Sequence, residues 1–184
     1  MLLVGTRERL AMDLLLYTGL RRGDLVQLGR QHVRNGVIRY RATKNGVEIV
    51  LPMLGVLQET IDAGPTGDLT FLATTKNTPW SKEAFGTWFA KACKEAKVPG
   101  RAHGLRKAGA TFAAENGASD HQLMGIFGWT NAEQAAVYTR TASRAKMAAA
   151  GVGMLIPGPE HDDETRTSIP APIDPVRGLG VKSQ

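Results

Sequence analysis

His103 and Arg106 stand three residues apart in HGLRKAGATFAAENG, and Tyr138 lies further along in EQAAVYTRT. On a helix, positions i and i+3 share a face, so an imidazole and a guanidinium there can aim their polar ends at one point. That pairing suits an anionic ligand, most naturally a phosphate, because the guanidinium fork presents paired N–H donors. Arg21 and Lys44 are further basic groups in distinctive places, and Trp129 after Gly128 adds an indole N–H, which is a donor only. Each has a plainer reading. An arginine at a helix junction is by default a surface charge, and a lysine on a hairpin tip is usually solvated.

The elements that would carry these groups can be read from periodicity. Residues 6–18, TRERLAMDLLLYT, recur at helical spacing through Leu10, Leu14 and Tyr17, and Gly19 closes them as a C-cap residue would. A second, shorter helical pattern follows in GDLVQLGRQHV, which leaves Arg21 at a break between helices. Asp24 is placed to steady the start of that second helix or to pair with an arginine. VIRYRATKNGVEIVL is the clearest strand signal, with Asn45-Gly46 as a two-residue hairpin turn. Pro52 then suits the first turn of a helix, MLGVLQETIDA. The apolar Leu69–Leu72 run reads as a strand or a buried loop. Ser81 caps a helix through Lys97. From His103 one helix runs to Asn116, and Ser119 caps a second that Gly128 stops. Asn131 caps a third, AEQAAVYTRTASRAKMAAA, which bears Tyr138. The fold class is mainly α with one small antiparallel β-hairpin or sheet.

A length of 184 residues fits one domain with a tail. Net charge is +6 and the pI is about 9.7, a balance that favours a polyanionic partner, nucleic acid before membrane. Cys93 is the only cysteine, so no disulfide can form within the chain, and it shares a helical face with Phe85, Trp88, Phe89, Ala92 and Ala96 as a small core thiol. No His or Cys pair has metal-ligand spacing. The N-terminal Met1–Val4 is too short for a signal-peptide core, and no stretch approaches a membrane span. The expectation is a cytoplasmic, nucleoid-associated protein. After residue 156 prolines interrupt a polar, charged segment, and 157–184 reads as a disordered tail.

The ordered set TGLRRGDLVQL, TKNG, HGLR, FGW and Tyr138 resembles the catalytic domain of tyrosine recombinases, the phage integrase family. The resemblance covers roughly residues 6–150. It implies that Arg21, Arg106 and Trp129 bind the scissile phosphate, Trp129 through its indole N–H, that His103 is catalytic, that Lys44 is the catalytic lysine of the hairpin, and that Tyr138 is the nucleophile. Trp129 stands where most members have His and a minority Trp. Phosphodiester attack by a phenolate places excess charge on the non-bridging oxygens, which two guanidiniums can clamp without a metal ion. A phenol of ordinary pKa ~10 needs such cations nearby to act at neutral pH. His103 can relay a proton and Lys44 can protonate the departing 5′ oxygen. A 3′-phosphotyrosyl link keeps the bond energy, so neither ATP nor any cofactor is required.

The resemblance further implies site-specific strand cleavage and rejoining on double-stranded DNA. It also implies a homo-tetramer on DNA held through the segment after Tyr138, whose alternative is packing on its own domain. Residues 1–156 correspond to the catalytic domain, and the family's N-terminal core-binding domain has no counterpart before residue 6. The alternatives are a type IB topoisomerase, a DNA-binding remnant of a mobile element without turnover, and a basic helical protein that binds a partner through its last helix.

Overall fold

The computed structural model describes residues 3–142 and 144–156. They fall into a main unit that ends at Val152 and a short unit that begins at Gly153. The main unit is helical with one three-stranded antiparallel sheet, as expected. The disorder expected for 157–184 lies outside the described residues.

Helix α1, Arg7–Thr18, begins where the Thr6 hydroxyl accepts a hydrogen bond from Arg9 N. It buries Leu10, Ala11, Leu14 and Leu15 on one stripe. Gly19 ends it with φ +59°, and a Cβ there would lie 2.6 Å from the Phe127 ring. Glycine is required at that point on both counts.

The second helical pattern is shorter than its sequence implies. Helix α2 covers only Arg22–Leu25, a 3₁₀ turn covers Arg30–His32, and strand β1 takes Val33–Arg34. Gly29 causes the break. Its backbone is extended, its N–H donates to His32 Nδ1, and a Cβ would lie 2.2 Å from Leu69 O. Strand β2 is Val37–Arg41 and β3 is Glu48–Pro52, in the order β1-β2-β3. Ile38, Tyr40, Ile49 and Leu51 alternate inward along them.

The tight two-residue turn expected at Asn45-Gly46 forms instead at Asn35-Gly36. Asn35-Gly36, with φ of 50° and 71°, is the tight two-residue turn that joins β1 to β2. Asn45-Gly46 is not such a turn. Ala42 N bonds Val47 O, Gly46 N bonds Ala42 O, and only Gly46 has positive φ, so the loop is Thr43–Gly46. Nor does Pro52 open a helix. It ends β3 opposite Val37, on an edge strand where its missing N–H costs no ladder bond, and helix α3 is Gly55–Ala63. The buried carboxylate of Asp13 ties α3 to α1, accepting from Arg9 Nε and Thr60 Oγ1 at 2.7 Å each.

The Leu69–Leu72 run is a loop rather than a strand, with Thr70, Phe71 and Leu72 buried, Leu69 exposed and Phe71 N bonded to Leu28 O. Helix α4, Lys82–Glu95, is capped by Ser81 and ends two residues earlier than expected. It buries Phe85 and Phe89, with Cys93 half-buried beside them. Helix α5 is Ala102–Glu115, and α6 is Asp120–Phe127, with a reciprocal cap between Ser119 and Gln122. Asn131 caps α7, Ala132–Thr139.

The expected continuous last helix is broken. Helix α8, Arg144–Gly151, is separate. Thr141 Oγ1 donates to Tyr138 O at 3.0 Å and Thr139 Oγ1 to Asp120 Oδ1 at 2.7 Å. Hydroxyls near their own backbone compete with helical hydrogen bonds, which ends α7 one residue after Tyr138.

Two apolar clusters result. One joins α1, the sheet, α3 and α4; the other joins Ala110 and Ala114 of α5, Leu123 and Phe127 of α6, and Ala135 of α7. Ile126 packs against both. The candidate residues collect along the seam between them.

Candidate active site

Arg21 sits between α1 and α2, its extended backbone placing its carbonyl at the start of α2. The side chain is half-buried. Its buried Nη1 has no hydrogen-bond partner among the described residues. A dry unsatisfied N–H costs about 1–3 kcal/mol, which an oxyanion at that atom would return. Arg21 lines an open cleft of about 820 Å³ together with Lys44, His103, Arg22, Lys82 and Arg101. Glu83 is the one acidic residue lining it.

Arg106 is turned inward and is only 5% exposed. One guanidinium nitrogen, Nη1, donates to Gly19 O and the other, Nη2, to Phe127 O at 2.6 Å. These carbonyls close the C-terminal ends of α1 and α6, where the helix dipoles favour a cation. The guanidinium also lies over the Phe127 and Trp129 rings, at 5.2 and 5.7 Å from their centroids. Burial pushes its pKa down to about 10, the Arg21 charge adds to that, and Asp24 and Tyr138 oppose it. A lysine could not serve both carbonyls at once with a planar fork.

His103 and Arg106 therefore share a helix face but not a surface. His103 is exposed on the cleft; Arg106 lies behind it. They remain electrostatically coupled. Partial burial lowers the His103 pKa from 6.5, and the charges of Lys107, Arg106 and Arg21 lower it further. The imidazole stays neutral, and able to accept a proton, to a lower pH than an ordinary histidine. We expect the acid limb of any His103-dependent rate, measured with sub-saturating DNA so that the free protein titrates, to fall below pH 6.5. Lys107→Ala should move that limb up toward the ordinary value. A limb unmoved by loss of Lys107 would refute the assignment to His103.

Trp129 and Tyr138 complete a stack of rings. Phe127 and Trp129 lie 4.9 Å apart at 21°, and Trp129 and Tyr138 lie 5.4 Å apart at 10°. Gly128 makes the stack reachable. It ends α6 with φ +58°, and a Cβ would lie 2.9 Å from Ile49 Cδ1 of β3. Tyr138 and Trp129 do not line the cleft; they join it through Arg106, whose charge interacts with both Arg21 and Tyr138.

Three features were not legible in the sequence. Asp24 neither caps α2 with its side chain nor forms an ion pair among the described residues; its Oδ1 accepts from Thr43 N at 2.9 Å, tying α2 to the Lys44 loop. Asn45 Nδ2 donates to Gly128 O at 3.0 Å. Arg22 packs so closely on α4 that a Cβ at Gly86 would lie 2.1 Å from its Nη1. The glycine within the α4 pattern was the available signal for that last contact. Among the described residues no three His, Cys, Asp or Glu side chains are grouped to hold a metal ion, and no helix is long and apolar enough to cross a membrane.

The sequence pattern described as the phage integrase family matches residues 4–144. The integrase of Escherichia phage lambda is 33% identical over 95 residues, which is 47% of this chain and 27% of that protein. A solved lambda integrase dimer bound to a core site superposes with a TM-score of 0.61 at 27% identity, over 70% of this chain and 52% of the other. XerA recombinase gives a TM-score of 0.62 at 17% identity, covering 83% of this chain and 58% of that one, a likeness of fold. The Tn1549 transposon integrase, solved with transposon right-end DNA, gives 0.64 at 19% identity, covering 82% and 59%. The chain thus spans only part of the proteins it resembles. With most of its described length matched, it belongs to the phage integrase family of tyrosine recombinases.

Proposed function

We propose that residues 1–156 act as the catalytic domain of a site-specific DNA recombinase, which cuts and rejoins strands through Tyr138. The observation that carries this reading is the coupling of two groups across the seam. Arg21, Lys44 and His103 line one basic cleft, and Arg106, behind it, lies over the Trp129 ring that stacks on Tyr138. In the proposed step the Tyr138 oxygen bonds to phosphorus as the bond to the 5′ oxygen breaks. The phenolic proton passes to His103, and the ammonium of Lys44 gives a proton to the departing oxygen. Arg21 stabilises directly the charge that develops on the non-bridging oxygens, Arg106 adds its charge from behind the cleft, and Trp129 holds the tyrosine ring by stacking. The 3′-phosphotyrosyl product keeps the phosphoester energy, and a 5′ hydroxyl reverses the step without ATP or metal.

Double-stranded DNA is the partner that the cleft fits. Arg22, Lys82 and Arg101 extend its positive lining beyond the reacting groups, as backbone contacts require. Assembly with further copies on DNA belongs to the same reading. Met147 of α8 packs against the chain's own second cluster, which favours packing in cis for that residue. Val152, Met154, Leu155 and Ile156 are exposed and remain available to a second copy.

The test is a pool of nicked duplexes with randomised half-sites, whose short 5′ product diffuses away and traps the adduct. A protein–DNA adduct whose linked peptide contains Tyr138 is expected. Salt-sensitive DNA binding with no adduct at any sequence would favour a binding module without turnover.

A further inference from the structure

We propose that Asn45 is a positioning residue for Lys44, and that the end of α6 holds both Lys44 and Arg106 in place. The inference rests on the reading of Lys44 as the acid that protonates the 5′ oxygen. Lys44 is exposed, in the loop Thr43–Gly46. A four-carbon stem on a mobile loop reaches a given point only a small part of the time, because side chain and loop both keep their conformational freedom. The residues on either side of Lys44 are fixed instead. Thr43 N donates to Asp24 Oδ1 of α2 at 2.9 Å, and Asn45 Nδ2 donates to Gly128 O at 3.0 Å. Arg41 Nη1 adds a bond to Gly46 O at 3.0 Å.

The two flanking anchors come from elements distant in sequence, and both belong to the site. Asp24 acts on the charge of Arg106, and Gly128 follows directly on Phe127, whose carbonyl holds Arg106 Nη2 at 2.6 Å. Adjacent carbonyls at the end of α6 therefore hold Arg106 and the loop of the proton donor. The left-handed turn at Gly128, packed on Ile49 of β3, brings that helix end within reach of the loop. Asn45 aligns the ammonium with the leaving oxygen before the reaction begins, so less freedom is lost at the barrier.

Chemistry at the leaving atom provides the test. In an ordinary duplex the P–O5′ bond breaks as Lys44 transfers a proton to O5′. With sulfur in place of that bridging oxygen, the P–S bond breaks to release a thiolate, which needs no proton. On a duplex selected from the pool, Asn45→Ala should slow single-turnover cleavage of the oxygen substrate about tenfold or more, within the range of general-acid effects. Cleavage of the sulfur substrate should stay within about twofold of the parent protein. Asn45→Asp keeps the acceptor that faces Val47 N and loses the donor to Gly128 O, so it should follow Asn45→Ala. Lys44→Ala should show a larger loss with the same rescue by sulfur.

Equal slowing on both substrates would make Asn45 merely structural and overturn the proposal, as would no slowing on either. If sulfur fails to rescue Lys44→Ala, the assignment of Lys44 as the acid fails and the inference fails with it. If sulfur rescues Lys44→Ala but not Asn45→Ala, only the positioning role is lost. Thermal melting of each variant, expected to match the parent because Asn45 lies in an exposed loop, excludes a folding defect.

Discussion

Tyr138→Phe is expected to remove the covalent adduct entirely while leaving the protein folded and able to bind DNA. The substitution deletes one oxygen and keeps the ring. The stack on Trp129, at 5.4 Å and 10°, uses only that ring, as does packing against the second apolar cluster. Stability should therefore change by no more than about 0.5 kcal/mol, the usual range away from a disrupted core or polar network. Chemistry should fall to background, since the remaining ring has no oxygen with which to attack phosphorus. Adduct yield on trapped substrates, melting temperature and DNA affinity are the three readouts. A residual adduct in the variant would show that attack comes from another residue.

Arg106→Ala should produce the largest combined loss, in folding as well as in chemistry. It leaves Gly19 O and Phe127 O without their donor in a dry seam, at about 1–3 kcal/mol for each carbonyl. Part of that is offset, because the variant no longer buries a guanidinium whose pKa is already pushed down to about 10. The net loss should be about 2–4 kcal/mol, a fall in melting temperature on the order of 10 °C for a domain of this size. Arg106→Lys keeps a charge but not the fork, and should recover part of the stability and little of the cleavage. Below the melting range, cleavage should fall much further than DNA binding, because the arginine matters most once charge develops on the phosphate. An unchanged melting temperature would contradict the two-carbonyl role, and equal losses of binding and cleavage would contradict the catalytic one.

How much of this was legible in the residues depended on whether the signal was local. Gly19 and Gly128 as helix stops, and Ser81, Ser119 and Asn131 as caps, act within a few residues of themselves, and the structure places each where the sequence does. The same is true of the helix that bears His103 and Arg106. The choice between the two Asn-Gly turns was not local. Asn45 gives its amide to a carbonyl at residue 128, and a side chain so engaged belongs to a wider loop than the tight turn its dipeptide favours. The break after Tyr138 was missed because Thr139 is drawn to Asp120 on another helix. The inward turn of Arg106 escaped for the same reason: i, i+3 spacing aligns two side chains on a face but says nothing of carbonyls arriving from α1 and α6. Asp24, Asn45 and the Arg22–Gly86 contact are likewise tertiary contacts that no periodicity encodes.

The anchoring of Arg106 has a consequence for the cell that makes the protein. One of its carbonyls comes from the end of α1, near the start of the chain, and the other from the end of α6, close before Tyr138. Until the ribosome has delivered both, the arginine has no seat, and the Lys44 loop has nothing at Gly128 to hold it. Contacts so far apart in sequence form late and together. A heat-damaged chain therefore keeps Arg21, Lys44 and His103 without the arrangement that the folded protein gives them. On the proposed function, strand cleavage would begin only once these distant contacts have formed.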